Sequence, residues 1–492
     1  MKLRWFRAYV CVTILSAVAT LCAPAASLAA ISWDADKNTQ WWFDPVNWNT
    51  NMDVNTALPP SNGLSPPGAT DTQINIGTSG LPGGEGVVYD PANDPSFATA
   101  ATRAFPTGYG PQVIAEFYIS RNTPNSNLLT IKGDLEVRGS GSLGPVIGRS
   151  SGTANEGTSG RVNQLSGTVK VVNRPLDIGS TDTSNPGFGN GVWDYRGGIL
   201  EVSHEAGSGL RLSAGGSAGT GGVGRFIMHN PTTSGYVRPY LMNIAAHSGT
   251  ANSDTNGVGV VEFHFENGGT RPIQVIDDLI INNGAESTGT ATRSARLELV
   301  LNEAPMLEGG VPEDLGLFDV DFNDPDVLDP VGSILGSGTN ARLFSNADGT
   351  IVYEPGSTVS ATFGGTQFNW TISYTGDITW DGNGDTGVVS GISESGGTDI
   401  VLMGLSSVDI GLPGDFNSDG KVDAADYVVW RKTDGTQPGY DDWRTNFGRT
   451  ASGATAGLSS SASVPEPATF ALCAIALVGL CARRRAIPLS HQ

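Results

Sequence analysis

The sequence predicts a mainly β protein, with a glycine-rich β-solenoid, or β-helix, as its body and a small calcium-binding helical module near the C-terminal end. Glycine accounts for 67 of the 492 residues and charged residues for only 16%, a composition that excludes a long helical bundle. Short runs that alternate apolar and polar residues are separated by Gly, Ser, Asn and Thr clusters, which is typical of strands and turns. These runs recur every 31 to 34 residues, as expected for the coils of a solenoid, which must stack to bury their apolar faces.

The first segment, residues 1–30, has the composition of a secretory signal peptide. Basic residues occupy three of the first seven positions, an apolar run extends over Ala8–Leu21, and small residues follow, as a cleavage site requires. The mature chain is therefore expected to begin near Ala30 or Ile31, and the protein is expected to leave the cytoplasm.

Cysteine, histidine and net charge exclude several classes of site. All four cysteines lie in the two terminal apolar segments, so a disulfide framework, a cysteine-based zinc site and a catalytic thiol are not expected in the body. The five histidines are scattered without a paired spacing, which argues against a histidine metal site. The net charge of −21 repels phosphate groups, so nucleic acid is not an expected partner.

The predicted body, residues 31–410, carries the internal repeat. Gly160–Val171 aligns without gaps with Gly191–Val202, and a further copy begins at Gly224. Later runs, such as Val258–Phe265, keep the alternation without a clear period, so the coil is expected either to continue there or to give way to a sandwich. A final β-sheet is predicted between residues 331 and 404.

A tryptophan-rich block opens the body, with Trp33, Trp41, Trp42 and Trp48 interleaved with Asp and Asn. Aromatic rings beside polar groups can form a platform for a sugar. They can equally cover the open end of the first coil, which would otherwise expose an unpaired edge. The position at the start of the body favours the cap.

Catalytic residues are hard to identify in the body. The acidic cluster Asp319, Asp321, Asp324, Asp326 and Asp329 offers carboxylates of the kind that glycosidases pair across a sugar. Nothing near them in the sequence is expected to raise the pKa of one carboxyl above that of another. No nucleophile elbow, phosphate loop or dinucleotide fingerprint is present. The sequence therefore favours a protein without catalytic activity and leaves its enzymatic status open.

An acidic loop after Pro413 predicts a Ca²⁺ site. Ligands are expected at loop positions 1, 3, 5, 7, 9 and 12, where hard cations take oxygen donors. Gly420 occupies position 6, where the chain turns sharply, and Val422 occupies position 8, where an aliphatic side chain packs inward. The alternative is a solvated acidic turn. The predicted ligands are Asp415, Asn417, Asp419, the carbonyl of Lys421, Asp423 and Asp426.

This segment, residues 413–450, resembles the type I dockerin repeat. Position 12 is Asp, no helix precedes the loop, and Ala424–Lys432 can form the helix that follows the loop in that family. A complete dockerin has two such segments, but residues 434–448 keep only an aromatic-bearing helix. The resemblance therefore implies a calcium-stabilised module, and docking to a cohesin partner is not expected. Residues 451–463, rich in Ser, Ala and Gly, predict a flexible linker.

The C-terminal residues 464–485 combine three features. Pro465, Glu466 and Pro467 are followed by an apolar stretch at 468–482 and then by Arg483, Arg484 and Arg485. A helix of that length rises only about 22 Å, short of the roughly 30 Å hydrocarbon core.

The pattern resembles the PEP-CTERM sorting signal, which implies cleavage by an exosortase after transient membrane anchoring. A permanent membrane anchor is the alternative. The body resembles the autotransporter-like β-helix regions of secreted bacterial proteins with that signal.

These observations together predict a secreted protein of the cell surface or extracellular matrix, structural or adhesive in role, with one calcium-binding dockerin-like repeat. One alternative is a glycosyl hydrolase or lyase that degrades extracellular polysaccharide on a β-helix, as the dockerin resemblance implies. The other is a carbohydrate-binding module that uses the tryptophan block. Neither the glycan nor the handedness of the solenoid follows from the sequence.

Overall fold

The computed structural model describes residues 29–33, 40–42, 48–49, 72–76, 86–95, 112–114, 116–121, 126–137, 145–149, 158–180, 189–203, 209–213, 220–246, 256–285, 292–305, 313–320, 322, 332–381, 388–409, 411–417, 419–433 and 435–450. The predicted signal peptide, apart from its last two residues, the predicted linker 451–463 and the predicted sorting signal 464–485 lie outside these residues.

The described residues are mainly β. The strands are β1 (Ala29–Trp33), β2 (Trp48–Asn49), β3 (Thr72–Ile76), β4 (Val87–Tyr89), β5 (Gln112–Ile114), β6 (Glu116–Arg121), β7 (Ser126–Lys132), β8 (Leu135–Val137), β9 (Val146–Arg149), β10 (Thr158–Ser166), β11 (Thr168–Val172), β12 (Leu176–Ile178), β13 (Gly189–Tyr195), β14 (Gly198–Ser203), β15 (Leu210–Leu212), β16 (Thr220–Met228), β17 (Gly235–Pro239), β18 (Met242–Ile244), β19 (Asn256–Phe265), β20 (Ile273–Val275), β21 (Leu279–Ile281), β22 (Gly284–Ala285), β23 (Thr292–Leu301), β24 (Leu315–Val320), β25 (Ile334–Leu335), β26 (Thr358–Phe363), β27 (Thr366–Trp380), β28 (Val389–Ser393) and β29 (Asp399–Asp409). The helices are α1 (Ala424–Thr433) and α2 (Gln437–Asn446).

The chain divides into two compact units. The first unit comprises residues 1–361 and 368–407, and the second comprises residues 362–367 and 408–492. The second unit contains both helices and the predicted calcium loop, and it begins five residues before the predicted start at 413.

Three parallel sheets form the body of the first unit, and together they make a β-solenoid, as predicted. Sheet I stacks β1, β3, β6, β9, β12, β15, β18, β21 and β25; sheet II stacks β4, β7, β10, β13, β16, β19 and β23; sheet III stacks β5, β8, β11, β14 and β17. Four consecutive turns, β6–β8, β9–β11, β12–β14 and β15–β17, each contribute one strand to every sheet. Successive strands of the chain therefore belong to different sheets, as a coil requires.

The strand register confirms the repeat predicted from the sequence. Gly160 pairs with Gly191, and Gly191 pairs with Gly224. The next partners along sheet II are Gly259 and Ala295, so the coil continues beyond Phe265 and the sandwich considered for that region is wrong. The repeat period is unclear in the sequence of that region because the connections between strands lengthen, although the strands themselves stay in register.

Apolar side chains of equivalent strands stack inside the solenoid. In sheet I, Ile147, Ile178, Leu212, Ile244 and Ile281 follow one another through the register and are fully buried. Burying an aliphatic side chain of this size stabilises the fold by about 1.5–3 kcal/mol. Each coil obtains that stabilisation only from its neighbours, because a single coil has no other layer to pack against.

In five successive coils one residue near the end of the sheet I strand, or directly after it, adopts the left-handed conformation. These residues are Ser120, Gly148, Gly179, Ser213 and Ala245. A Cβ atom added to Gly179 would lie 2.0 Å from a backbone oxygen of the next coil, so only glycine fits there. At Ser120 and Ser213 the hydroxyl donates a hydrogen bond to a backbone carbonyl. Serine and alanine thus share these left-handed positions with glycine.

The tryptophan block lies at the start of the solenoid. β1 pairs with β3 in parallel and with β2 in antiparallel orientation. Trp42 is fully buried and packs edge to face on Tyr89 with ring centroids 5.5 Å apart. Its backbone N–H donates to the Val88 carbonyl at 3.0 Å. A buried ring cannot stack on a sugar, so Trp42 fits the predicted cap; the side chains of Trp33 and Trp48 lie outside the described residues.

A further sheet has the order β20, β24, β29, β27 and β26, with β28 paired to β27. β24 continues the parallel arrangement of the solenoid through β20 but pairs with β29 in antiparallel orientation. β26–β29 form most of this sheet in the region where a final β-sheet is predicted, and the sheet also takes in β20 and β24 from earlier in the chain. In the part of the chain that the structure describes, no helix is long and apolar enough to cross a membrane; the predicted span 468–482 lies outside it.

Deleting Gly160–Asn190 should leave a folded protein, because it removes one coil and joins Ser159 to Gly191 in the same register. The remaining coils can stack as before. We expect a cooperative thermal transition, measured by circular dichroism, only a few degrees below that of the wild type.

Deleting Gly160–Pro175 is the matched control. It removes half a coil and brings the sheet I strand β12 into the position of a sheet II strand, so we expect the β signal to be lost. Equal loss of folded signal from both deletions would show that the coil is not the structural unit.

Candidate functional site

The predicted calcium loop is ordered by hydrogen bonds from its own backbone. The Asp415 carboxylate accepts from the N–H groups of Asp419 and Gly420 at 3.1 and 2.8 Å. The Asp419 N–H also donates to Asn417 Oδ1 at 2.9 Å, and the Lys421 N–H donates to Asp419 Oδ1 at 3.0 Å. Three predicted ligands therefore hold the tight turn in which they lie.

Asp426 closes the loop from the first turn of α1. Its side chain is fully buried and accepts from the Asn417 N–H at 3.1 Å and from the Asp423 N–H at 2.7 Å. Asp423 in turn accepts from the Ala425 N–H at 2.7 Å, as a helix cap does. The predicted residue at loop position 12 thus connects the beginning of the loop to its end.

The backbone of the loop follows the expectation from the sequence at positions 6 and 8. Gly420 has φ of 80°, in the left-handed region, and Val422 is fully buried. Val422 also exchanges backbone hydrogen bonds with Arg449 and Gly448 at 2.9 and 2.7 Å. These bonds fix the loop to the residues that follow α2.

An aromatic cluster packs the two helices behind the loop. The Tyr427 ring lies 5.3 Å from Trp430 and 4.9 Å from Trp443, and Tyr440 lies 5.4 Å from Trp430, centroid to centroid. The Trp443 indole donates to the Asp423 carbonyl at 2.7 Å. The aromatic-bearing helix predicted after residue 434 is thus present as α2, and it supports the loop from behind.

The loop offers the donors of a hard-cation site, since five side chains and the Lys421 carbonyl supply oxygen atoms. Its four carboxylates, all within the described residues, do not bring three oxygen atoms within 4.8 Å of one another. They face backbone N–H groups instead. A cation would have to draw these oxygens away from the N–H groups and towards a common centre.

Of the acidic cluster considered for catalysis, the structure describes Asp319 alone; the other four members lie outside the described residues. Asp319 is buried in β24 and accepts from the Trp380 indole. Asp399, also buried, accepts from the N–H groups of Val320 and Ile378 at 2.8 and 2.7 Å. Asp399 therefore connects β24 to β27.

The raised carboxyl pKa in this region belongs to Asp399, which lies outside the acidic cluster considered for catalysis. Burial and the nearby Asp319 charge raise the pKa of Asp399 to about 8, against the smaller opposing effect of the two N–H donors. This pKa shift was not predictable from the sequence, because Asp319 and Asp399 are far apart along the chain. Both carboxyls are buried, so they fit a structural role better than one against a substrate.

A cleft of about 310 Å³ lies beside the final sheet, lined by Thr270, Glu313, Asp314 and Ser390 among others. Asp314 accepts from the Gly404 N–H at 2.8 Å. Glu313 and Asp314 are neighbours in sequence and are not a pair facing each other across a sugar, as the carboxylates of a glycosidase are. The cleft can hold a small polar ligand, but its carboxylates do not have that arrangement.

The outer face of sheet II brings together histidines and carboxylates that are scattered along the sequence. The rings of His229 and His264 lie 4.0 Å apart in successive coils. Asp194 lies beside them; burial raises the pKa of its carboxyl, but hydrogen bonds from His229 and Arg196 outweigh burial and hold the pKa well below its ordinary value. The separation of the two histidines in the sequence indicates their contact once the register is known, because it equals the separation of the register partners Gly224 and Gly259.

Comparison with known proteins identifies the C-terminal segment. Residues 463–485 match the model of the PEP-CTERM protein-sorting motif, which confirms the prediction for 464–485. No curated protein and no solved structure matches the chain. The motif indicates an exosortase-dependent secreted protein of the cell surface, recognised by an exosortase.

Asp399→Asn should weaken the pH dependence of stability. The folded protein holds the Asp399 proton up to about pH 8, whereas the unfolded chain releases it near the ordinary pKa of 3.8. The free energy of unfolding must therefore fall as pH rises through this window. Between pH 5 and pH 8 we expect the wild type to lose at least about 1 kcal/mol more than the variant in urea titrations.

Asp381→Asn, at an exposed position, serves as the control and should keep the wild-type dependence. The same pH dependence in Asp399→Asn and the wild type would contradict the assignment.

Proposed function

We propose that this protein is a structural or adhesive component of the cell surface or extracellular matrix, with a calcium-binding, dockerin-like module next to its sorting signal. The observation that carries the proposal is the combination of a β-solenoid body with a PEP-CTERM motif at residues 463–485. The sorting motif supports delivery to the surface. The stacked coils support a scaffold that presents polar groups at regular intervals.

Extracellular polysaccharide is the proposed partner of this scaffold. The outer face of sheet III carries a solvent-accessible charged pair between successive coils, Lys170 with Glu201 at 3.1 Å. A polar surface of this kind suits a hydrated glycan better than an apolar partner surface. A polysaccharide-degrading enzyme and a carbohydrate-binding module are the alternatives to the proposed role.

Calcium is the proposed cofactor of the second unit. Support comes from the donor set of the loop, the left-handed Gly420 and the inward Val422. The buried Asp426 supports it further, because a carboxylate in that position can close the loop around a cation. Binding to the folded form alone would stabilise this small unit by about 2.7 kcal/mol at a hundredfold excess over Kd.

Export should remove both terminal segments. Mass spectrometry of protein from the surface of its own host is expected to find a mature start near Ala30 or Ile31 and no peptide beyond about Pro467. The same protein with Pro465, Glu466 and Pro467 all replaced by Ala should stay in the membrane fraction with its tail. Surface protein that keeps Arg483–Arg485 would refute exosortase processing.

Calorimetry on the mature chain should detect one Ca²⁺ per molecule, bound well below millimolar concentration. Asp415→Ala should abolish the binding heat, because it removes an oxygen donor and a carboxylate that orders the turn.

Asp442→Ala, at an exposed position on α2, is the matched control and should bind as the wild type does. Equal affinity in Asp415→Ala and the wild type, or no calcium heat in either, would leave the segment as an acidic turn.

A further inference from the structure

Two histidines and a glutamate converge on the outer face of sheet II. His229 directly follows β16, His264 lies in β19, and Glu266 directly follows β19. One ligand atom from each lies within 4.8 Å of the other two. All three side chains are largely shielded from solvent, with exposures of 9%, 14% and 22%. Within the described residues, these three are the group of His, Cys, Asp or Glu side chains whose ligand atoms lie close enough together to share one metal ion.

A carboxylate holds each imidazole by one of its ring nitrogens. His229 Nε2 lies 3.2 Å from Asp194 Oδ1, and His264 Nε2 lies 2.7 Å from Glu262 Oε1. Metal-binding histidines commonly donate their second ring N–H to a carboxylate, which fixes the tautomer and orients the ring. With Nε2 as the donor, Nδ1 of each ring carries the lone pair that can bind a metal.

The opposite nitrogens face Glu266 and Asn302. His229 Nδ1 is 3.1 Å from Glu266 Oε1, and His264 Nδ1 is 3.0 Å from Asn302 Nδ2. The same Asn302 nitrogen is 2.7 Å from Glu266 Oε2. Ligands that bind a tetrahedral metal at 2.0–2.2 Å lie about 3.3 Å from one another. The separation of His229 Nδ1 and Glu266 Oε1 already suits a shared metal ion.

We propose that His229 Nδ1, His264 Nδ1 and the Glu266 carboxylate bind one divalent transition-metal ion, with Zn²⁺ as the ion that the donor set fits. Two imidazoles and one carboxylate are donors that zinc accepts, whereas Ca²⁺ takes oxygen ligands. The Asn302 amide nitrogen now donates to His264 Nδ1 and Glu266 Oε2, so this exposed side chain has to turn when the ion binds, and the fourth position then goes to water or to the Asn302 amide oxygen. The site is distinct in chemistry and in place from the acidic loop of the second unit.

The local electrostatics favour a cation here. The His229 ring lies between two carboxylates, Asp194 and Glu266. It can satisfy both by donating from both nitrogens, or by donating to Asp194 and sharing a metal ion with Glu266. In the second arrangement His229 is neutral, so the closely spaced rings of His229 and His264 carry one proton fewer.

The pairing of β16 with β19 holds these ligands in place before any metal binds. β16 and β19 pair in register from Val223–Val258 to Met228–Phe263, so the following residues of both strands are fixed by the sheet. Glu266 starts a turn in which its backbone exchanges hydrogen bonds with Gly269 at 3.0 and 3.3 Å. Ligands fixed by paired strands need little reorganisation to bind a metal.

The test is zinc titration of the mature chain, stripped of metal and kept in 2 mM Ca²⁺ so that the acidic loop does not compete. We expect one Zn²⁺ per chain, and His264→Gln and Glu266→Gln should each weaken binding by about a hundredfold or more. Glu354→Gln makes the same charge change at an exposed glutamate and should bind zinc as the wild type does.

X-ray absorption at the zinc edge of the wild type gives a readout that does not depend on variants. Scattering from two imidazole rings and from oxygen ligands is expected. Absence of stoichiometric zinc binding, a zinc edge without imidazole scattering, or unchanged affinity in both His264→Gln and Glu266→Gln would overturn the proposal.

Discussion

The structure depends on one constraint, the in-register parallel stacking of coils. A coil contributes a single strand to each sheet and cannot bury its apolar side chains alone. The buried column that runs through Ile147, Ile178, Leu212 and Ile244 exists because every coil repeats the same register. The left-handed residues directly after the members of this column follow from the same requirement, since the chain must turn at the same place in each coil.

The in-register stacking also arranges the side chains on the outer face of sheet II. Side chains that point outward at equivalent positions of successive coils stand about 4.8 Å apart, the spacing of paired strands. Asn163, Asp194, Ile227, Glu262 and Glu298 form one such row across sheet II. A row of this kind gathers residues from five coils into one patch. Clusters of charge and of metal-ligating groups therefore arise from the register without any local motif.

Predictability from the sequence follows this division between local and stacked features. The repeat, the strand pairs around Gly160 and Gly191, and the helix that begins at Ala424 were predictable, because each depends on a short continuous stretch of sequence. The approach of Asp319 to Asp399 was not, because these residues are far apart in the chain and no repeat relates them. The contact of His229 with His264 follows from the register of β16 with β19, so it could be found only once that register was known. The coils lengthen after Gly224, so the sequence does not show the register of the strands that carry His229 and His264.

The two candidate cation sites differ in how their ligands are brought together, by one continuous loop in the first and by the register of neighbouring strands in the second. The acidic loop supplies its donors within twelve residues, so a hard cation can be inferred from spacing alone. The histidine site draws on two adjacent strands, and its supporting carboxylates come from a third strand and from the same strand as His264. An insertion between strands leaves such a site intact, because it alters the loop and not the register. A shift of one residue within a strand would turn its ligands towards the core and remove the site.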